Sequence, residues 1–335
     1  MTPPSDGRGR RVLFICGSLN QTTMMHEIAS HLGDHDCFFT PYYSDGVLDW
    51  LSRKGLLDFT VLGGEFRRAT DHYLARWGLP RDERGRRGGY HLVVTGSDLV
   101  VQKNIRGKPL VLVQEGMTDP EALSFHLVRA LGLPRWLAST STMGLSLAYT
   151  KFCVASAGYR DAFVAKGVPA DRLAITGIPN FDNCQAFRDN DFPHRGYVLV
   201  ATSDTRETFK RDDRRRFLDR VGRIAAGRPL VFKLHPNENV LRSTREIRRR
   251  FPAALVLERG NTNHMIANCD VLITQYSSVV YVGLALGKEC HSYFPLETLR
   301  RLAPIQNGGT SAACIADVCR EVVARSGRER WRHAS

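Results

Sequence analysis

The chain has 335 residues, 43% of them hydrophobic, with eight cysteines and a formal net charge of +13. That size and apolar content suit about two folded domains and exclude a chain disordered throughout. The scattered cysteines form no CxxC pair and no zinc spacing, which excludes a zinc or disulfide framework and favours a cytosolic protein.

The N-terminal MTPPSDGRGRR is polar and lacks the apolar core of a signal peptide. The longest uncharged stretch, 271–287, falls just short of the roughly 18 residues of a membrane span and contains Gln275, Tyr276 and two serines. It reads as strand, loop and helix. The positive charge gathers in 211–216 (RDDRRR), 245–250 (REIRRR) and the tail RSGRERWRHAS. These runs lack interleaved aromatics and any nucleic-acid motif, so nucleic acid is not an expected partner. They read as solvated helix faces or as contacts to an anionic membrane at its inner face.

In chain order, short apolar runs alternate with helix-like segments, the pattern of βαβ units. After ten residues expected to be disordered (1–10), RVLFIC (11–16) reads as a strand. A glycine loop with Gly17, Ser18 and Gln21 follows, then an amphipathic helix that Thr22 or Thr23 would cap. HLVVTGSD (91–98) and KPLVLVQEG (108–116) read as buried parallel strands, and KFCVASAG, YRDAFVAKG and RLAITG as strand, helix and strand. The turn-rich text after Gly177 marks a linker, giving a first domain of 11–178, a second of 179–325 and a basic tail of 326–335. In the second domain the order is YVLVATSD, a basic helix at 211–226, PLVFKLHP, a helix near 241–251, ALVLERG, CDVLITQYSS and a helix at 279–287 that Gly287 stops. The fold class is therefore α/β: two Rossmann-like domains facing a central cleft, where small molecules usually bind.

The candidate chemistry lies at strand ends. In VFKLHPNEN, Pro236 holds His235 extended at the carboxyl end of a strand, and Lys233 shares its face. Together they suit a phosphate, lysine as a charge and histidine as a donor. In ITQYSS, Gln275, Ser277 and Ser278 precede a helix, so the serines serve either as caps or as part of an anion site. Thr202 and Ser203, with Arg206 and Lys210 close behind, are phosphate ligands or ordinary turn residues. Glu115 and, less strongly, Asp98 end strands of the first domain as candidate general bases, or else as turn acids. No P-loop, GxGxxG, GxSxG or HExxH motif occurs, and no metal and no bound cofactor are expected.

TGIPNFD, KLHP and CDVLITQYSSVVYVGLALGK together resemble the GT-B superfamily. The His-Pro and Ser-Ser motifs look most like the branch with CDP-glycerol glycerophosphotransferases and bacterial sialyl- and Kdo-transferases. That resemblance implies that His235, Pro236, Ser277 and Ser278 bind the phosphate of a cytidine-activated sugar or polyol donor. It also implies a glycan or glycolipid acceptor of the cell envelope. The chain resembles non-hydrolysing UDP-N-acetylglucosamine 2-epimerases as well, LVQEG with Glu115 standing where they have HVEAG. It departs from them in HPNEN, where they have HRREN, and in QYSS, where they have DSGG. The implied activity is metal-independent transfer; the alternatives are an epimerase-like isomerase and a non-catalytic sugar-nucleotide-binding protein.

Overall fold

A computed structural model describes residues 9–58, 60–203, 206 and 213–332, with the side chains of the last helix described as far as 327. The N-terminal stretch expected to be disordered lies outside these residues as far as position 8, whereas Arg10 already starts a strand. Lys210, the beginning of the basic run 211–216 and the end of the basic tail also lie outside them.

Two compact units make up the chain, one of residues 1–182 and 307–335, the other of 183–306. In the first unit the strands are β1 (Arg10–Cys16), β2 (His35–Pro41), β3 (Leu92–Thr95), β4 (Leu110–Val113), β5 (Lys151–Val154) and β6 (Leu173–Ile175). Its helices up to β6 are α1 (Leu19–Ser30), α2 (Gly46–Arg53), α3 (Gly64–Arg76), α4 (Leu123–Leu131) and α5 (Ala157–Lys166). The sheet is parallel throughout, in the order β2-β1-β3-β4-β5-β6.

The second unit holds β7 (Val198–Ala201), α6 (Arg214–Ala225), β8 (Leu230–Lys233), α7 (Val240–Arg250) and β9 (Leu255–Leu257). It continues with α8 (Thr262–Asn268), β10 (Val271–Thr274), α9 (Val279–Ala285), β11 (Glu289–His291) and α10 (Leu296–Leu302). Its sheet is also parallel, in the order β11-β10-β7-β8-β9.

The near-continuous apolar strand sequences follow from this layout, because parallel strands covered by helices are buried on both faces. Val12, Leu13, Phe14 and Ile15 are all fully buried, as are Val198, Leu199 and Val200. In the first core Phe14 and Phe39 stack, packed with Met24, Met25 and Ile28 of α1. In the second, Phe217 and Val221 of α6 and Ile247 of α7 pack on Val200, Phe232 and Ile273.

The last helix, α11 (Ser311–Arg332), departs from the expected division. Its residues up to 325 were assigned to the second domain, yet Ala312, Ile315, Ala316, Cys319 and Val322 are buried in the core of the first unit. The segment read as a linker holds this return in place. Asp182 accepts from the Ser311 backbone N–H at 2.9 Å, and Asn307 Nδ2 reaches the Thr176 carbonyl at 3.3 Å.

Candidate functional site

In each sheet the strand order reverses at one place, and there the loops at the strands' carboxyl ends part to leave a crevice for ligands. In the first unit this place lies between β1 and β3, in the second between β7 and β10. Most of the residues singled out in the sequence fall at these two places.

In the first unit, β1 ends in Gly17 and Ser18, and β4, beside β3, is followed by Glu115. Ser18 Oγ donates to Glu115 Oε1 at 2.8 Å, and Gln21 Nε2 donates to Glu115 Oε2 at 2.6 Å. The glycine loop and the candidate base are thus one cluster, with the half-buried carboxylate oriented by two neutral donors. Gly17 is closely approached: a Cβ there would lie 1.9 Å from Gln21 Oε1, so any larger residue would displace the Gln21 amide. Gln114, buried beside the carboxylate, ties the β4 end to the next strand by accepting from the Ala155 N–H at 2.9 Å.

Two expectations in this unit change. Ser18, and not Thr22 or Thr23, caps α1, accepting from the Gln21 N–H; Thr22 Oγ1 instead donates to the Ser18 carbonyl. Asp98 is buried and fully engaged. It accepts from the Gly144 and Ser146 N–H groups at 3.0 Å each and from Arg135 at 3.1 Å. Such a carboxylate organises a loop, and the structure does not bring it together with Glu115.

In the second unit the loops after β7 and β10 meet where Ser203 Oγ donates to Gln275 Oε1 at 2.6 Å. His235 follows β8, and the Asn237 backbone N–H donates to its Nδ1 at 3.2 Å. A backbone N–H can only donate, so Nδ1 presents a lone pair and the ring proton resides on Nε2. His235 is therefore a neutral hydrogen-bond donor. Its own N–H reaches Thr202 Oγ1 at 3.1 Å and Glu238 Oε2 at 3.2 Å, which makes Thr202 a support for the histidine loop.

Lys233 faces a different task from the one expected. Its buried Nζ donates to the carbonyls of Leu234 at 2.7 Å and Glu258 at 3.0 Å, fastening the ends of β8 and β9. Burial lowers its pKa, with Glu238 partly opposing. Ser277 and Ser278 lie half-buried ahead of α9, and the Ser278 side chain makes no capping bond there. Gly287, with φ +72°, takes the left-handed position just past α9 that the sequence assigned to it. Pro236 is exposed at the turn after His235.

Glu238 was not foreseen. Its side chain is wholly buried. It accepts from Thr202 and from Ser243 Oγ at 3.1 Å, and it faces Arg214 Nη2 at 3.1 Å in an ion pair without hydrogen-bond alignment. Arg206 joins through Glu246 at 2.9 Å. The one signal in the sequence was an acid three residues after a strand-ending histidine. Also unforeseen was an aromatic corner beside Gln275, where Tyr276 meets Tyr293 and Phe294 edge-on at 5.3 and 5.1 Å. Among the described residues no group of three or more His, Cys, Asp or Glu is placed to hold a metal ion.

Two Rossmann-like α/β units with parallel sheets and polar clusters at their switch points constitute the GT-B fold. No family model and no curated protein sequence matches the chain. Solved structures do. The wall teichoic acid polymerase TagF, soaked with CDPG, aligns at a TM-score of 0.53 and 11% identity over 97% of this chain and 91% of that one. The UDP-GlcNAc 2-epimerase from Neisseria meningitidis bound to UDP-GlcNAc gives 0.57 and 10%, over 93% and 100%. A UDP-N-acetylglucosamine 2-epimerase from Rickettsia bellii gives 0.52 and 10%, over 95% and 97%. At such identities the likeness is one of fold.

Proposed function

We propose that the chain is a transferase that moves a glycosyl or glycerophosphoryl-type group from a nucleotide-activated donor to a glycan or glycolipid acceptor. The observation that carries this reading is the state of His235, a neutral imidazole whose Nε2–H is held as a donor at a strand's carboxyl end. The second unit is assigned the donor. His235 Nε2–H and the hydroxyls of Ser277 and Ser278 bind the leaving phosphate. As the bond to the transferred group breaks, its electron pair stays on a phosphate oxygen, and hydrogen bonds to that oxygen strengthen. Thr202 and Pro236 position the histidine, while Ser203 and Gln275 tie the flanking loops. Lys233 is reassigned from phosphate ligand to strand fastener.

The first unit is assigned the proton. Glu115, oriented by Ser18 and Gln21, takes it from the acceptor hydroxyl as the hydroxyl oxygen forms its new bond. No part is assigned to a metal ion. Cytidine as the donor base rests on the His-Pro and Ser-Ser motifs and on the departures from the epimerase motifs. The TagF structure soaked with CDPG accords with that choice, while the epimerase of the same fold is bound to UDP-GlcNAc.

Thermal unfolding with CMP, CDP, UMP and UDP tests the reading on wild type, His235→Ala and Glu115→Gln. Ligand at a hundredfold excess over Kd stabilises the folded state by about 2.7 kcal/mol. The expected result is a rise in Tm with cytidine nucleotides, lost in His235→Ala and kept in Glu115→Gln, with Glu115→Gln lacking turnover. Indifference to all four nucleotides would sink the donor assignment. Conversion of UDP-N-acetylglucosamine without an acceptor would replace transfer by epimerisation.

A further inference from the structure

Helices α6 and α7 cover one face of the second sheet, where Phe217 and Val221 of the one and Ile247 of the other reach the core. Each helix carries five arginines and one carboxylate. Both carboxylates turn toward the other helix. Asp219 pairs with Arg250 at 3.2 Å, and Glu246 with Arg214 at 3.6 Å and with Arg206 at 2.9 Å. Arg216 and Arg223 stand two turns apart on the side of α6 away from its buried Leu218, Val221 and Ala225. Arg245 and Arg249 stand one turn apart on the side of α7 away from its buried Ser243 and Ile247. All four are exposed, and none makes an ion pair among the described residues.

The outer side of this helix pair is therefore charged by arginine alone. Its cations are about 6 Å apart along α7 and about 10 Å apart along α6. Neighbouring helix axes lie about 8–10 Å from each other. An arginine fork takes one carboxylate or phosphate at two points. A lone anion reaches one such fork, so cations spread in two directions suit a chain that repeats its anion. A bilayer fits the surface less well. The apolar sides of both helices lie in the core, and Leu241 is the one large apolar side chain of the two helices that is exposed. That leaves little to enter the acyl boundary. Neither helix carries an exposed aromatic residue to stack on a base, or an amide to read one.

We propose that the outer side of α6 and α7 holds a linear anionic glycan or polyol chain that bears a carboxylate or phosphate on each repeat. Arg216, Arg223, Arg245 and Arg249 contact successive anions along it. That this chain is the acceptor of the transfer rests on the transferase reading; its binding does not.

Fluorescence anisotropy of labelled polygalacturonate and labelled inorganic polyphosphate, titrated with the full chain, tests the proposal, with labelled dextran as the neutral control. Wild type is expected to bind one or both polyanions and not dextran, more weakly as salt is raised. Arg216→Ser/Arg223→Ser/Arg245→Ser/Arg249→Ser, which changes only solvated side chains, is expected to bind at least about tenfold more weakly. A charge-matched control, Lys54→Ser/Arg76→Ser/Arg86→Ser/Arg129→Ser, removes four exposed cations from the first unit. It is expected to bind within about twofold of wild type. Should the first variant melt early, Arg245→Ser/Arg249→Ser carries the comparison, with an expected loss of about threefold. Binding to neither polyanion overturns the proposal, and so does an equal loss in variant and control, since net charge alone then acts. A DNA duplex of about 20 base pairs bound at least about tenfold more tightly than either polymer also overturns it, assigning the face to nucleic acid. So do vesicles with about 30% phosphatidylglycerol that the same arginines capture while the polymers stay free, since a bilayer then covers the face. The nucleotide-dependent rise in Tm is measured on the same variants, so failure of the chain-binding face and failure of the donor site are read separately.

Discussion

At the scale of single residues the most consequential group is Glu238, a carboxylate with no exposed side-chain surface. It organises the histidine loop by accepting from the His235 N–H and from Thr202, and its charge is balanced by the buried Arg214. Removing one member of such a pair leaves the other charged and uncompensated, which costs about 3–5 kcal/mol, whereas replacing both by apolar groups is often nearly neutral. Glu238→Gln is therefore expected to lower unfolding free energy in urea by about 3 kcal/mol, and Arg214→Met on the same background to restore a large part of it. Equal losses in the single and double variants would show that the pair does not act as a unit. Gly17 poses the matching question in the first unit. A methyl group there forces the Gln21 side chain from a position it holds on Glu115. Gly17→Ala is expected to lower turnover on the order of a hundredfold, as a displaced catalytic group does, while nucleotide-induced stabilisation stays unchanged.

The lesson differs at the scale of elements. Helix α11 is joined to the first unit by core contacts and by the bond from its first N–H, that of Ser311, to the Asp182 carboxylate. Ile315 is fully buried, so Ile315→Ala is expected to cost about 2–5 kcal/mol, against about 1 kcal/mol for Asp182→Ala, which removes only the cap. Trypsin digestion followed by mass spectrometry checks where the loss falls. The 1–182 region is expected to be cut faster in Ile315→Ala, with 183–306 unchanged. The strands after which the candidate residues lie were legible, because a buried parallel strand is an uninterrupted apolar run such as VLFI or LVLV. Strand β2 was not, since HDCFFTP opens with charged and half-exposed positions at a sheet edge. Nor was α11: its alternation of alanines, cysteines and valines says that it packs somewhere, and nothing local says on which sheet. The site divided along the same line. His235, Ser203, Gln275 and Glu115 stood out because polarity appears abruptly after a strand. The Ser18–Glu115 bond and the Arg214–Glu238 pair join positions far apart in sequence and became visible only in three dimensions.

For the molecule as a whole, the distribution of thiols sets a limit at alkaline pH. All eight cysteines lie among the described residues, and none forms a disulfide. Burial pushes the thiols of Cys153, Cys269 and Cys290 up from 9.0 to about 12. Above pH 9 the unfolded chain gives up these protons while the folded chain keeps them, so the unfolded state binds fewer protons and stability falls as pH rises. The stabilisation is fully present below pH 9 and is lost between about 9 and 12, at a slope of about 1.4 kcal/mol per pH unit for each such thiol. Lys233 and Lys166, whose pKa values burial lowers, tilt the curve the other way, because there the unfolded state holds the extra proton. Comparing wild type with Cys153→Ala cancels those opposing contributions, which are common to both. Urea unfolding at pH 8, 9, 10 and 11 should show the variant less stable by a constant amount up to pH 9. Above that, its decline should be shallower by about 1.4 kcal/mol per pH unit. Parallel declines at every pH would mean that Cys153 titrates in the folded protein as it does in water, which its place in the sealed core of the first sheet does not allow.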